Sequence, residues 1–189
     1  MRAPLLWPLL VLVALGLAGC GEDTLAASEA RARLAWDQTC LQHGRRAEIL
    51  PALLDAVRAG APQEREVVAE AAAALQEYRL VPVDEGTPTD PARWREHLRT
   101  LIRLSDAVQR LLGTVERYLD LKRSAGYLAL RAQLLDAQDR AAVARGDYNA
   151  AARDHNAELE GWWSGPLARL RHPGARPLQL FTGLPTVEP

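Results

Sequence analysis

Residues 143–159 read VARGDYNAAARDHNAEL, and this stretch contains an Asp-aromatic-Asn triplet twice. The triplet Asp147-Tyr148-Asn149 returns seven residues later as Asp154-His155-Asn156. Seven residues make about two turns of an α-helix, so both triplets fall on one helical face. The repeat predicts a helix whose aromatic positions face a core, with each Asn at the border of that core.

The same seven-residue spacing extends toward the N-terminus. Its members are Tyr127, Leu134, Ala141, Tyr148 and His155. We predict one long helix, capped by Ser124 and ending near Glu158. Arg131, Gln138 and Arg145 lie beside this row, and either they extend outward to solvent or they pair with carboxylates inside the bundle, such as Glu48 or Glu116. The sequence leaves both arrangements open.

Ala, Leu, Arg and Glu dominate the rest of the chain, and they favour helices. Glycine and proline divide it into four predicted helices at about 25–59, 62–78, 91–118 and 124–158. This pattern predicts an all-α protein, an antiparallel four-helix bundle with long helices and an irregular C-terminal tail. Pro51 lies inside the first helix and predicts a kink over residues 47–51.

The third predicted helix has the most regular apolar stripe, with spacings of four and three. Its members are Trp94, Leu98, Leu101, Ser105, Val108, Leu112, Val115 and Leu119. Asp90 and Pro91 form a typical helix start, because an Asp side chain caps free amides and proline suits the first position. Neighbouring helices of the same chain can bury this stripe without a partner.

The N-terminal segment is typical of an export signal. Arg2 is followed by an apolar run from Leu5 to Leu17, which is too short to span a bilayer comfortably. The run ends in Leu17-Ala18-Gly19-Cys20, which resembles the lipobox of bacterial lipoproteins. In such proteins the cysteine carries a diacylglycerol, the chain is cut before it, and the new amine is acylated. The alternative is an ordinary secretory signal with an incidental cysteine.

The lipobox resemblance implies a division of the chain into four parts. These are a cleaved signal peptide at 1–19, an anchor and short linker at 20–24, the helical bundle at 25–160, and a C-terminal tail packed on it at 161–189. Two or three acyl chains hold a protein stably at a membrane, whereas one chain does so only marginally. The membrane is therefore an expected partner through Cys20.

Two further residues and the net charge restrict location and partners. In Gram-negative sorting an Asp after the lipidated cysteine favours the inner membrane, so Gly21 favours the outer membrane, facing the periplasm. With Cys20 lipidated, Cys40 has no intrachain disulfide partner and is interpreted as a buried apolar residue. The net charge is −1, which gives no electrostatic case for binding nucleic acid.

The fourth predicted helix resembles the LemA family of helical envelope proteins. The family pattern there is approximately Leu-Lys, an aromatic residue and Leu, then Arg-x-Ala-x-Ala-Arg-x-Asp-Tyr-Asn and Arg-Asp-Tyr-Asn. The matching residues are Leu121, Lys122, Tyr127, Leu128, Arg140, Ala142, Ala144, Arg145, Asp147, Tyr148, Asn149, Arg153, Asp154, His155 and Asn156. Weaker similarity covers the segment around Pro51 and residues 174–181.

This resemblance implies a long-helix antiparallel bundle outside the cytoplasm. It implies no agreed biochemical activity and no catalytic residues, so the motif residues and Pro51 are interpreted as structural. The chain departs from the family pattern at His155, Gly146 and Leu119, where Tyr, Arg and Pro are usual. Most family members have an N-terminal transmembrane helix, which a lipid on Cys20 would replace.

Motifs for chemistry are missing from the sequence. A di-iron bundle needs Glu-x-x-His, and neither that spacing nor HExxH, CxxC or CxxCH occurs. The four histidines are scattered, and Asp147 and Asp154 are interpreted as solvated rather than as an acid–base pair. We therefore expect no metal, no cofactor and no enzymatic activity. His155 could act as a pH switch, although a histidine packed at the border of the core is the simpler interpretation.

Trp162 and Trp163 form a candidate membrane contact. In an up-down-up-down bundle the fourth helix ends beside the start of the first, which Cys20 would tether. Trp favours the membrane interface, and Arg169 and Arg171 are close in sequence. The alternative is that the pair closes the end of the core.

The sequence favours an exported, lipid-anchored bundle that acts as a scaffold or adaptor for other envelope proteins. The expected partner surfaces are the solvent faces of the long helices and the loop from Leu80 to Asp90. One alternative is a small-ligand-binding bundle in which Arg131 or Arg145 anchors the ligand. A hydrolase without a recognisable motif is the other alternative.

Overall fold

The computed structural model describes residues 6–161 and 174–183, with side chains from Thr24 onward. Its helices are α1 (Leu6–Gly60), α2 (Arg65–Leu80), α3 (Pro91–Val115), α4 (Leu119–Arg123) and α5 (Ala125–Glu160). A 3-10 turn, Thr87–Thr89, lies between α2 and α3. No strand occurs within these ranges, so the predicted all-α fold with four long helices is confirmed. Across the same ranges, no helix combines the length and hydropathy needed to span a bilayer.

Side-chain caps fix the starts of α3 and α5 where the sequence predicts them. Asp90 accepts hydrogen bonds from the amides of Ala92 and Arg93, at 2.8 and 3.3 Å. The hydroxyl of Ser124 accepts one from the amide of Tyr127 at 3.3 Å. Each cap satisfies amides that the first turn of a helix leaves free.

Other boundaries differ from the prediction. Helix α1 begins at Leu6 rather than near residue 25, so it includes 20–24, and it continues through Pro51 to Gly60. Helix α2 begins at Arg65 rather than Pro62, because the amide of Glu64 first bonds back to the carbonyl of Ala61 in a turn. Residues 119–123, which lie between the third and fourth predicted helices, form the short helix α4.

Helices α1 and α5 form the most extensive pair, and they run antiparallel. The hydroxyl of Thr39 donates to the carbonyl of Ala144 at 3.1 Å, while Ser28 meets His155 near the other end. Buried alanines line the seam, which lets the two backbones approach closely. They are Ala32, Ala137, Ala141, Ala144 and Ala152. All five residues of the seven-residue row are also buried, as predicted.

Helices α2 and α3 form the second pair. Ion pairs cross its surface from Arg103 to Glu77 at 2.7 Å and from Arg110 to Glu70. Three of these side chains are exposed and Glu77 is half-buried, so each pair contributes at most about 1 kcal/mol. Buried apolar residues supply the main stabilisation.

The buried stripe of α3 is rotated slightly from the predicted one. Leu104 and Leu111 are fully buried, whereas Leu98 and Leu112 are half-buried. Leu119 is 57 % exposed because α3 ends at Val115 and the chain turns before α4. The predicted membership of Leu119 in the stripe is therefore wrong.

The apolar core is divided into two clusters. The larger cluster joins α1, α2, α3 and α5 around Leu50, Leu104 and Leu134. The smaller cluster contains Trp36, Trp94, Leu101, Tyr148, Ala152 and Phe181. Phe181 comes from the C-terminal tail, so this part of the core needs a segment outside the helices.

Candidate functional site

Residues 174–183, here called the strap, lie in extended form along α5 and are held by two asparagines. Asn149 donates to the carbonyl of Phe181 at 2.9 Å and accepts from its amide at 2.8 Å. Asn156 makes the same two hydrogen bonds with Leu178, at 2.9 and 2.8 Å. Each amide side chain thus satisfies both backbone groups of one strap residue.

The spacing of the doubled triplet matches the spacing of the strap. Seven helical residues span about 10.5 Å, and three extended residues span about 10 Å. The strap runs antiparallel to α5, because the later asparagine, Asn156, holds the earlier residue, Leu178. Two asparagines seven residues apart can therefore hold strap residues three apart without distortion.

Three more hydrogen bonds hold the strap in place. The Tyr148 hydroxyl donates to the carbonyl of Gln179 at 2.7 Å, and the amide of Gln179 donates to the carbonyl of Pro88 at 2.8 Å. The Nε2 atom of His155 lies 3.3 Å from the carbonyl oxygen of Arg176, to which it can donate. The strap therefore joins α5 to the 3-10 turn of the loop at 81–90.

The ring of Phe181 fills an aromatic cluster beneath the strap. Its centroid lies 4.7 Å from that of Trp94, 5.5 Å from Tyr148 and 6.2 Å from Trp36. Trp36 also donates from Nε1 to the carbonyl of Asp84 at 3.1 Å, which anchors the loop. Aromatic pairs at these distances stabilise by about 0.5–1.5 kcal/mol beyond area burial.

A group of polar residues is buried where the two apolar clusters meet. This polar layer consists of His43, Arg46, His97 and Ser105, with half-buried Arg145 beside them. Arg46 donates from Nη1 to the Ser105 hydroxyl at 3.1 Å. Five buried nitrogen atoms of the layer have no partner among the described residues. They are Nε and Nη2 of Arg46, both ring nitrogens of His43, and Nδ1 of His97.

Burial controls the charge of the polar layer. It lowers the pKa of His43 to about 3, helped by Arg145, Arg46 and His97, and lowers that of His97 to about 4. Both histidines are therefore neutral at pH 7. Burial and Arg145 lower the pKa of Arg46 only to about 10, so its guanidinium stays cationic. Arg46 is therefore a buried cation beside the neutral side chains of His43, His97 and Ser105, with the positive charge of half-buried Arg145 nearby.

The outer surface of the α1–α5 seam forms a groove of about 560 Å³. Leu34 of α1 and Val143 of α5 line its two sides, with 64 % and 65 % of their surface exposed. Ala35 and Ala144 form its floor. The remaining lining residues are polar or charged, namely Arg31, Gln38, Gln42, Asp139, Arg140 and Asp147. An apolar floor with charges of both signs at its edge can bind an amphipathic helix.

The site residues predicted from the sequence fall into distinct environments. Tyr148 and His155 are buried, and Asn149 and Asn156 are half-buried at the strap. The other motif residues lie apart from these contacts, because Asp147, Arg153, Asp154 and Pro51 are exposed and Arg145 is half-buried. Trp162, Trp163, Arg169 and Arg171 lie outside the described residues, as does the side chain of Cys20.

The ion pairs of the described residues include neither Arg131 nor Arg145, although the pKa of Glu116 is lowered mainly by Lys122 and also by Arg131. Glu116 binds Lys122 instead, and Glu48 is exposed. Arg131 is half-buried, and the buried amide of Gln138 has no partner within the described ranges. Cys40 is half-buried, and burial raises the pKa of its thiol to about 12, which makes the thiol unreactive.

Groups suited to metal binding do not converge in the described part of the chain. No cluster of three or more His, Cys, Asp or Glu side chains occurs there. In the polar layer, the charged groups that act on His43 are Arg145 and Arg46 rather than carboxylates, so no carboxylate orients its ring as a general base.

Sequence reasoning missed the strap contacts and the polar layer. The doubled triplet carried the signal for the strap, because two asparagines at the border of a core need hydrogen-bond partners. His43 and Arg46 gave a weaker signal, since they lie on the same face of α1 as Trp36 and Leu50.

Comparison with known proteins identifies the family of the chain. No curated protein matches the chain. The sequence model of the LemA family matches residues 35–182, which include the polar layer, the doubled triplet and the strap up to Thr182. Because this match covers well over half of the 189 residues, the chain belongs to the LemA family.

Proposed function

We propose that this LemA-family protein is a lipid-anchored, non-enzymatic scaffold that holds another envelope protein on its α1–α5 groove. The observation that carries the proposal is the pair Leu34 and Val143, two large apolar side chains exposed on opposite sides of one groove. Burying both against a partner would contribute about 1.5–3 kcal/mol each.

The lipid anchor would hold the groove at a defined distance from the membrane. Helix α1 runs without interruption from Leu6 to Gly60, and Leu25 is buried only five residues after Cys20. At 1.5 Å per residue, Arg31 to Gln42 lie about 15–35 Å along the helix axis from Cys20. A partner bound there would lie close to the membrane that carries the lipid, which Gly21 suggests is the outer membrane.

The shape of the groove supports a helical partner. It follows two antiparallel helices, its floor is formed by alanines, and its edge carries Arg31 and Asp147 as well as Asp139. A partner helix with apolar residues at spacings of three and four would place them between Leu34 and Val143. Mixed charge at the edge would select its orientation more than its affinity.

Site-specific photocrosslinking in intact cells tests this proposal. A photoreactive amino acid replaces Leu34 or Val143 in the full chain, and Arg99, exposed on α3, provides the control position. We expect both groove positions to capture the same envelope protein through one amphipathic helix, and Arg99 to capture none of it. In chains that carry the crosslinker at 143, Leu34→Glu should reduce capture at least fivefold.

Two outcomes would refute the scaffold. Positions 34 and 143 could crosslink no more than position 99, which would show that the groove is a free surface. They could instead capture only a second copy of this chain, which would indicate self-association in place of an adaptor role.

A further inference from the structure

Arg46 is a buried cation for which the described residues provide no counter-charge. Its side chain is 4 % exposed, and the Ser105 hydroxyl is its one hydrogen-bond partner in the described ranges. The ion pairs described for the chain include neither Arg46 nor Arg145. A buried charge without a partner is strongly unfavourable, so this arrangement needs a reason.

The free hydrogen-bond donors of Arg46 share one edge of the guanidinium. Nη1 is used by Ser105, which leaves Nε and Nη2 without partners. These two nitrogens point their N–H bonds in parallel from the same side of the planar group. That edge matches the two oxygens of a carboxylate or phosphate group.

The neighbours of Arg46 would favour the same kind of ligand. Arg145 is close enough to act electrostatically on both Arg46 and His43. His43 is buried and neutral at pH 7, and each neutral imidazole still carries one N–H that can donate. Unpartnered donors and positive charge thus converge where the two apolar clusters meet.

We propose that the polar layer is a binding site for a small oxyanion, a carboxylate or phosphate group held by Nε and Nη2 of Arg46. Arg145 supplies the second positive charge, and His43 and His97 supply neutral donors. Arg145 is only half-buried, so the positive charge of the site extends to the protein surface. The rival explanation is a purely structural polar layer, which would bind no anion.

Calorimetric titration of the detergent-solubilised full chain distinguishes these explanations. The probes are sodium phosphate and sodium acetate at pH 7, with ionic strength held constant by sodium chloride. We expect saturable binding of at least one probe to the unaltered chain and to Arg110→Gln, which removes an exposed arginine. Arg46→Gln should abolish binding, and Arg46→Lys should weaken it at least tenfold, because lysine keeps the charge but loses the parallel donors.

The two probes also separate the possible ligands. Binding of phosphate alone assigns the site to phosphorylated ligands, binding of acetate alone assigns it to carboxylates, and binding of both assigns it to oxyanions in general. The proposal is overturned when neither probe binds the unaltered chain, or when Arg46→Gln binds as well as the unaltered chain does.

An NMR measurement keeps the test decisive if Arg46→Gln does not fold. The Nε–H resonance of Arg46 is assigned by its disappearance in Arg46→Lys. A bidentate oxyanion should shift this resonance progressively and saturably, while chloride at the same ionic strength should not. An unmoved resonance across both titrations would contradict the proposal.

Discussion

The side-chain amide of Asn149 forms two hydrogen bonds with the backbone of Phe181, as the backbone of a neighbouring β-strand would. The Asn149 amide donates to the carbonyl of Phe181 and accepts from its N–H, at 2.9 and 2.8 Å. Because these contacts involve only backbone atoms of the strap, they fix its position along α5 independently of its side chains. The Phe181 ring, packed against Trp94 and Tyr148, provides the side-chain specificity.

We expect Asn149→Ala to lower the free energy of unfolding by about 1–3 kcal/mol, because it leaves two backbone groups of Phe181 without partners. Asn156→Ala should have a similar effect through Leu178. Urea unfolding measures both values. Asp147→Ala, at an exposed position two residues away, is the control and should change stability by less than about 0.5 kcal/mol. Equal stability of Asn149→Ala and this control would show that these two hydrogen bonds contribute nothing to stability.

Phe181→Ala should lower the free energy of unfolding by about 3–5 kcal/mol. The substitution removes a buried aromatic ring and leaves a cavity beside Trp36 and Trp94. The near-ultraviolet circular dichroism of Trp36 and Trp94 should weaken while the helical signal remains. Leu180→Ala is the matched control in the strap. Its side chain is half-buried, so the loss should be smaller. An unchanged tryptophan signal in Phe181→Ala would place the ring outside the core.

Stability should decline in mild acid because of His43 and His97. Their pKa values in the folded protein, about 3 and about 4, lie below the ordinary value of 6.5. The unfolded chain therefore binds more protons below pH 6.5. The contribution of each histidine is complete above that pH and falls by up to about 1.4 kcal/mol per pH unit as the pH drops.

Urea unfolding of the unaltered chain and of His43→Leu at pH 7, 6 and 5 measures this effect. The pKa values of Asp84 and Glu116 are also lowered, but from ordinary values of 3.8 and 4.5, so their contributions change at lower pH. We expect a shallower decline for His43→Leu. Identical slopes would mean that the His43 ring is accessible to protons in the folded state.

Lipidation at Cys20 remains a prediction from the sequence and can be tested directly. Mass spectrometry of the membrane-extracted protein should find a mature N-terminus at Cys20 that carries a diacylglycerol and an amide-linked acyl chain. Cys20→Ser should leave the precursor uncleaved, because no thiol is present to accept the lipid. An unmodified Cys20 thiol in the native protein would refute the anchor.

The sequence predicted the helices better than their contacts. Helix starts depended on local chemistry, so Asp90 and Ser124 were located correctly. The buried row from Tyr127 to His155 followed from seven-residue spacing. The end of α3 at Val115 was missed, because its apolar pattern continues to Leu119 although the chain turns first.

The functional regions were harder to predict, because they join distant parts of the chain. The strap contact links Asn149 to Phe181, and the polar layer links His43 and Arg46 of α1 to His97 and Ser105 of α3. Helical periodicity identifies a buried face but does not identify what lies opposite. Arg46 in particular gave only a weak signal for burial, its position on the same face of α1 as Trp36 and Leu50, since most arginines are exposed.

The position of Phe181 also determines when this protein can finish folding. Trp36 and Trp94 are synthesised long before the Phe181 ring that packs against both, so their cluster is incomplete until residue 181 has emerged. If the chain is exported, this delay would keep it in a form that can still be threaded through a translocation channel. The strap would then complete folding on the far side of the membrane.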